Sequence, residues 1–382
     1  MKKVGKEVLF LDTAELNPRN GEGSMIRLKD GSIMYAFTEY YGECGKDHGI
    51  ARISACVSFD EGETWSDKKV IIEKDEQAQN IMSVNLIRLD SGNLGAIYLR
   101  KEINEEQGCY CMPVFCESDD EGVTWKNMTY CTDEKGYYCP FNGTALKLKS
   151  GRIVFPVSYN LRQYDVYKIG ISSGIPENGS YVVLLYSDDD GKTWSRYDHK
   201  FETPYGFDIG ISEPSIYEHE NGDLFVWMRT KAGHQYQSVS KDGGKTWSTL
   251  CPNFFLTTPD APMQIRRTGK YTVAVFNPVP FYPLNTLTEE WNSPKRTPFV
   301  LAVSEKDGVE FSENNLSANG KLLTFAKNNL FYIEDDLNES YCYPAIFEGD
   351  DYLLVAYYHS GGTERCLNCG KIVKIKYSEI KL

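Results

Sequence analysis

Three clusters in this sequence combine residue types and spacings that could do chemistry. Asp188, Asp189 and Asp190 form an acidic run of the kind that can ligate calcium; Cys366 and Cys369 are spaced like half of a zinc site; Gly243, Gly244, Lys245 and Thr246 match the tail of a phosphate-binding loop. Each has a plainer account. The acidic run lacks a Glu at calcium-loop spacing. Zinc needs two further ligands, there is no second C-x-x-C, and Cys109 and Cys111 are not a usual partner pair. The phosphate-loop fragment is incomplete and lies inside a repeated turn, and no G-x-G-x-x-G follows a strand. No metal or cofactor is expected.

The repeated turn is the strongest signal in the chain. Ser58, Asp60, Gly62, Thr64 and Trp65 recur as Ser118, Asp120, Gly122, Thr124 and Trp125, as Ser187, Asp189, Gly191, Thr193 and Trp194, and as Ser240, Asp242, Gly244, Thr246 and Trp247. All four read S-x-D-x-G-x-T-W, and a degenerate fifth runs from Ser304 to Phe311. The Asp can accept hydrogen bonds from backbone N–H groups of its own turn, the Gly supplies a positive φ, and the Trp anchors the hairpin from beneath. These aspartates are structural staples.

Upstream of each turn is a hairpin: an apolar alternation, a Gly turn, then a second alternation. Six copies are legible, around Gly31, Gly92, Gly151, Gly222, Gly269 and Gly349. Such a period defines a repeat architecture. The expected fold is all-β, a six-bladed β-propeller of four-stranded antiparallel blades, forming one domain over 1–382. The blades run roughly 20–68, 80–128, 140–197, 211–250, 260–313 and 340–378. Val8–Leu11 is expected to complete the last blade and close the ring. An insert with Tyr159, Arg162, Tyr164 and Tyr167, and the Pro-rich stretch 277–298, read as rim loops.

Composition excludes several functions. The 382 residues carry a net charge of −13 with no basic run, so neither nucleic acid nor an anionic membrane is an expected partner. No stretch reaches transmembrane length. The charged N-terminus is followed by no apolar segment, and the 11 Cys are odd in number and irregularly spaced, so a cytoplasmic location is expected. The 26 Tyr suit both strands and sugar-lining surfaces, a composition compatible with a carbohydrate partner.

The four turns resemble the Asp-box of sialidases and related propellers, and the resemblance covers nearly the whole chain. It implies a set of site residues. Ser212, Glu213 and Pro214, followed by Met228 and Arg229, look like the segment that holds a catalytic Glu and a carboxylate-binding Arg, which the hairpin brings back to one mouth. Arg296 is similar in placement to a second carboxylate-binding Arg. Tyr343 resembles the nucleophilic Tyr, with Tyr341 as its competitor. Asp47 sits where the family keeps its acid/base Asp, in competition with Glu39 and Glu43. The implied chemistry is coherent: Arg forks bind a planar carboxylate, Glu213 can take the proton of a phenol that is otherwise a weak nucleophile, and a loop Asp can protonate a leaving oxygen.

One departure stands out. Where the family places its first clamp Arg, this chain reads Gly21, Glu22, Gly23 and Ser24, and the nearest Arg is Arg19. The resemblance therefore implies a glycoside hydrolase acting on a terminal, acidic sugar, with strict sialidase activity open. Two alternatives remain: a polysaccharide lyase, using Arg229 and Arg296 on a uronate with Tyr or one of His48, His234 and His359 as base, and a non-catalytic sugar-binding propeller. Glu213 as a turn cap and Arg229 as a surface ion-pair partner are the structural accounts of the same residues.

Overall fold

The computed structural model describes residues 1–104, 108–160, 180–203, 210–279, 296–305, 329–360 and 367–380. The degenerate motif after Ser304, the insert residues Arg162, Tyr164 and Tyr167, most of the 277–298 stretch, and Cys366 lie outside these residues.

Six small sheets follow one another along the chain. Blade 1 runs from its inner strand Arg19–Arg27 through Ile33–Tyr40 and Ala51–Ser58 to Lys69–Ile72, each strand antiparallel to the next. Blades 2 and 4 repeat this order from inner strands Asn80–Arg88 and Ser212–Glu218. In blade 3 the inner strand is broken into Tyr138–Cys139 and Leu146–Lys147, both paired with Ile153–Asn160. Blade 6 takes its outermost strand from the other end of the chain: Lys6–Leu11 pairs antiparallel with Leu367–Lys376. The expected closure by Val8–Leu11 is thus present, and it starts two residues earlier. An unforeseen addition precedes it. Lys2–Lys3 pairs in parallel with Leu330–Glu334 and gives blade 5 a fifth strand.

Period-2 alternation builds the core. Successive strand residues point to opposite faces, so each blade serves both neighbours. Ile33, Tyr35 and Phe37 pack against Tyr352, Leu354 and Ala356 of blade 6, whereas Met34 and Ala36 pack against Leu86, Ala96 and Tyr98 of blade 2. The same holds around the ring, with a separate apolar cluster between every adjacent pair of blades. Burial on both faces explains why the second strands, such as Ile33–Tyr40, are buried throughout.

The four S-x-D-x-G-x-T-W turns share one geometry. In the first, Asp60 accepts from Thr64 N at 2.9 Å and Thr64 Oγ1 at 2.6 Å, while Ser58 Oγ accepts from Gly62 N at 2.8 Å. The other three match. The Trp rings do more than anchor their own hairpins. Trp65, Trp125, Trp194 and Trp247 each join the cluster shared with the preceding blade. A ring ordered in sequence is therefore stitched blade to blade by its own repeat. The turns lie at the end of the strands opposite the one where inner strands begin.

Two predictions follow from closure and from these turns. Deleting residues 1–11 removes a strand from blade 6 and Val4 from the core shared by blades 5 and 6, and should lower the midpoint of thermal unfolding by about 5 °C or more; an unchanged midpoint would contradict the closure. Hydrogen bonds from Thr64, Thr124 and Thr246 hold the Asp60, Asp120 and Asp242 carboxyls down at about 2. Groups depressed on folding stabilise above their unfolded pKa and lose that contribution as pH falls through the folded value. Asp60→Asn should therefore flatten the loss of thermal stability between roughly pH 4 and pH 2; a variant with the wild-type acid slope would show the turns contribute nothing there.

Candidate functional site

Four inner strands carry the same irregularity. Two residues on the inner strand oppose one on its neighbour, with the ladder resuming after the pairs Gly21/Ser24, Met82/Asn85, Ser212/Ser215 and Cys342/Ala345. This is a β-bulge. Its first residue is left-handed each time: Glu22 at φ 54°, Ser83 at 57°, Glu213 at 41° and Tyr343 at 58°. Blade 3, whose inner strand is broken between Cys139 and Leu146, has a positive φ at Gly143, at 66°. A non-glycine residue there costs roughly 1–3 kcal/mol and persists where the surroundings enforce it. Four such residues turn their side chains onto one cavity of 440 Å³.

The bulges are held by polar ties across the channel. Asn85 Oδ1 accepts from Thr144 N at 2.6 Å and Ala145 N at 3.0 Å, Gln264 donates to Gly143 O at 2.7 Å and accepts from Ile346 N at 2.6 Å, and Asn142 donates to Gly23 O at 2.8 Å. These buried amides bond inner strands of different blades together, so the bulge residues have fixed positions.

One wall joins blades 4, 5 and 6. The Tyr343 hydroxyl donates to Glu213 Oε1 at 2.5 Å. Arg229, at the end of the strand paired with Ser212, donates to Glu213 Oε2 at 2.5 Å and to Asp260 Oδ1 at 2.6 Å, and its Nη1 lies 3.4 Å from the Tyr343 oxygen. Arg296 donates to Asp260 O at 2.8 Å and to Cys342 Sγ at 3.1 Å. Its Nε is buried with no partner, and no carboxylate among the described residues hydrogen-bonds its guanidinium. Burial raises the Tyr343 phenol far above its ordinary range and Glu213 adds to this, with Arg229 and Arg296 opposing. Tyr343 is therefore a neutral phenol at rest. Burial also works to raise Asp260, but Arg229 outweighs it and keeps that carboxyl below the usual value.

The other wall joins blades 1, 2 and 6 around Arg19. Its guanidinium donates to Asp47 Oδ1 at 2.6 Å, Glu22 Oε1 at 2.8 Å and the Tyr358 hydroxyl at 2.8 Å. It is packed between the rings of Tyr40 and Tyr358, 4.7 and 4.9 Å from their centroids. Three hydrogen bonds from two blade 2 side chains pin the Asp47 loop: Lys101 Nζ to Asp47 O at 2.6 Å, and Asn80 Nδ2 to Asp47 O at 3.0 Å and to Gly49 O at 2.8 Å. Arg19 holds the Asp47 carboxyl below its ordinary value. Glu22 moves the other way, raised by burial in spite of Arg19.

All six residues singled out from the sequence, Arg19, Asp47, Glu213, Arg229, Arg296 and Tyr343, line this one cavity. Their competitors do not. Tyr341 is buried against Phe299, Tyr357 and His359, and Glu39 is bonded to Arg52, Ser54 and Lys68. His48, His234 and His359 are absent from the lining. Glu22, Ser83, Asp260 and Tyr358 went unread in the sequence. A signal for two of them exists: Glu22, Ser83 and Glu213 each stand nine residues before a turn glycine, Gly31, Gly92 and Gly222. Among the described residues no group of three or more His, Cys, Asp or Glu could hold a metal ion.

Comparison with known proteins agrees with this architecture. The model of the BNR repeat-like domain family matches residues 31–357. A sialidase of Paraclostridium sordellii is 24% identical over 249 residues, covering 60% of this chain and 57% of that protein. The chain spans under two thirds of the curated sialidases that it matches first, 57% and 59% of their lengths. Among solved structures, the intramolecular trans-sialidase from Ruminococcus gnavus has a TM-score of 0.70 at 14% identity, with 98% of each chain covered. A protein of unknown function from Dyadobacter fermentans has a TM-score of 0.67 at 17% identity, covering 97% of this chain and 99% of that one. With six blades, a match over most of its length and these neighbours, the chain belongs to the BNR repeat-like domain family, as a sialidase-like propeller.

Proposed function

We propose that this chain is a glycoside hydrolase that releases a terminal acidic sugar through a covalent intermediate on Tyr343. The observation that carries the reading is the 2.5 Å hydrogen bond from the Tyr343 hydroxyl to Glu213 Oε1, made by two residues on strained bulges at a wall that also presents Arg229 and Arg296. A phenol held neutral needs a base at the moment of attack, and Glu213 is within transfer distance. Tyrosine in place of a carboxylate nucleophile is the known sialidase exception among glycosidases. It suits an anomeric centre that bears a carboxylate, because a neutral group approaches an anion without repulsion.

Arg296 is the first receptor for that carboxylate, since its guanidinium has no competing carboxylate among its hydrogen bonds. Arg229 is the second: it holds Glu213 and Asp260 in place and faces the same space. Arg19 enters the site differently from a clamp residue, because Asp47, Glu22 and Tyr358 already occupy three of its donor directions. The acid that protonates the leaving oxygen comes from this wall, where Asp47 and Glu22 share the one guanidinium. The relatives named sialidase support the reaction class, and the rebuilt Arg19 wall sets this site apart in its choice of acidic sugar. Among the described residues that line the cavity there is no histidine to serve as a base for elimination.

The test is release of 4-methylumbelliferone from aryl glycosides of sialic acid and of uronic acids. Wild type should turn over at least one. Tyr343→Phe removes the nucleophile and should lower kcat/KM by at least about 10²–10⁴-fold, the range for loss of an acid–base partner alone, and Arg296→Ala should raise KM by about 10- to 100-fold, as expected for a lost charged hydrogen bond. A product heavier than the cleaved fragment by one water supports hydrolysis; an unsaturated product of elimination, or no release from any carboxylated glycoside by folded protein, would sink the reading.

A further inference from the structure

Of the left-handed bulge residues that line the cavity, Glu22 is the one ionisable group that the clamp-and-nucleophile scheme leaves without a role. It has the same backbone device as Glu213 and Tyr343, at φ 54°, and its side chain is only 4% exposed. Glycine would meet this backbone demand without strain. Retaining a glutamate at φ 54° is therefore hard to explain by backbone need, and strain of this kind points to a side chain that is used.

The two oxygens of Glu22 are unequal. Oε1 accepts from Arg19 Nη2 at 2.8 Å and has the Tyr358 hydroxyl at 3.4 Å. Oε2 has Ser83 Oγ at 2.5 Å, a hydroxyl that can either donate or accept. A proton can therefore reside on Oε2 with no cation against it. Asp47, on the other side of the same guanidinium, differs on every count: its side chain is 65% exposed and Arg19 holds it ionised. Two carboxyls on one arginine, one buried and pushed up and one exposed and pulled down, are the arrangement that separates an acid from a spectator.

We infer that Glu22, with Asp47 as its electrostatic partner, is the general acid and base of this site, an inference that rests on the glycosidase reading above. In the first step the C–O bond to the leaving group breaks, its electron pair stays on the glycosidic oxygen, and that oxygen takes the proton from Glu22 Oε2. The Tyr343 oxygen bonds to the anomeric carbon as its own proton passes to Glu213. In the second step the Glu22 carboxylate takes a proton from water, the water oxygen bonds to the anomeric carbon, and the C–O bond to Tyr343 breaks with the proton returning from Glu213. The groups that face Glu22 and set its proton affinity are Arg19, Tyr35, Tyr40 and Asp47 of blade 1, Ser83 and Cys111 of blade 2, Glu213 of blade 4, and Tyr343 and Tyr358 of blade 6.

The experiment compares one acidic sugar as its 4-methylumbelliferyl glycoside, a good leaving group, and as its methyl glycoside, a poor one. Glu22→Gln should lower kcat/KM on the methyl glycoside by about 10²–10⁴-fold and on the aryl glycoside by about tenfold or less, and should abolish the basic limb of the pH profile. Asp47→Asn should lower both substrates by a similar factor and keep that limb. A merely structural role for Glu22 would move neither the leaving-group ratio nor the limb. Equal losses on both substrates in Glu22→Gln, or the leaving-group signature appearing in Asp47→Asn, would overturn the assignment while leaving the glycosidase reading intact. If the Gln variant does not fold, Glu22→Asp must show a steeper leaving-group dependence than wild type; an unchanged dependence counts against the assignment. No turnover by wild type of any acidic glycoside overturns the parent reading and this one with it.

Discussion

Each blade is sandwiched between two others, and that confinement shapes everything else in the molecule. A strand in such a sheet has no free face, since alternate residues already belong to the clusters on either side. Polar chemistry can therefore sit only where strands end or where the inner strands line the channel. One end is taken by the glycine turns and the S-x-D-x-G-x-T-W staples, which are self-satisfied by local hydrogen bonds. Chemistry is left with the opposite mouth, where six inner strands begin together.

Confinement also explains the bulges. A regular inner strand would point its side chains at the neighbouring blades and none squarely into the channel. Inserting one extra residue and turning it left-handed re-aims a single side chain per blade. Glu22, Ser83, Glu213 and Tyr343 are aimed in this way, and the crossing amides Asn85, Asn142 and Gln264 keep them from relaxing. The site is then a set of charges brought close in poorly solvated space. Burying an unpaired charge is costly, and Arg19 and Arg229 each bond two carboxylates. Among the described residues Arg296 has a carbonyl, a thiol and the Tyr343 ring as partners and no carboxylate, which leaves it a cation with much to gain from an incoming anion.

What could be read from the sequence was what local spacing encodes. The four turns and the hairpins repeat because each is stabilised within about ten residues, so ring, blade count and N-terminal closure were all legible. Glu213 and Arg229 were legible as a pair because one hairpin sets their register. Glu22 was not, because the alternation around Ser24 masks the bulge; only the distance back to Gly31, shared with Ser83 and Glu213, betrays it. Asp260 lies in a connection with no repeat, and Lys2–Lys3 is too short to carry a pattern. Tyr358 is one aromatic among many on a buried strand, and its role depends on a contact 339 residues away in the chain.

The absent arginine at the start of blade 1 illustrates how such distant contacts change the meaning of a motif. Read along the chain, the stretch Gly21, Glu22, Gly23 and Ser24 looks like a segment that lacks its clamp residue. In space, a Cβ on Gly21 would lie 2.1 Å from the Tyr358 ring, so any side chain at that point is excluded while Tyr358 is in place. Tyr358 in turn receives Arg19 Nε and packs against its guanidinium, and Arg19 links Glu22 to Asp47. Glycine, tyrosine, arginine and glutamate are thus one unit. A side chain at position 21 would displace the Tyr358 ring and with it one of the partners that hold Arg19 between Glu22 and Asp47. The wall is built around a carboxyl, and the chemistry proposed for it rests on that carboxyl and the arginine that divides it from Asp47.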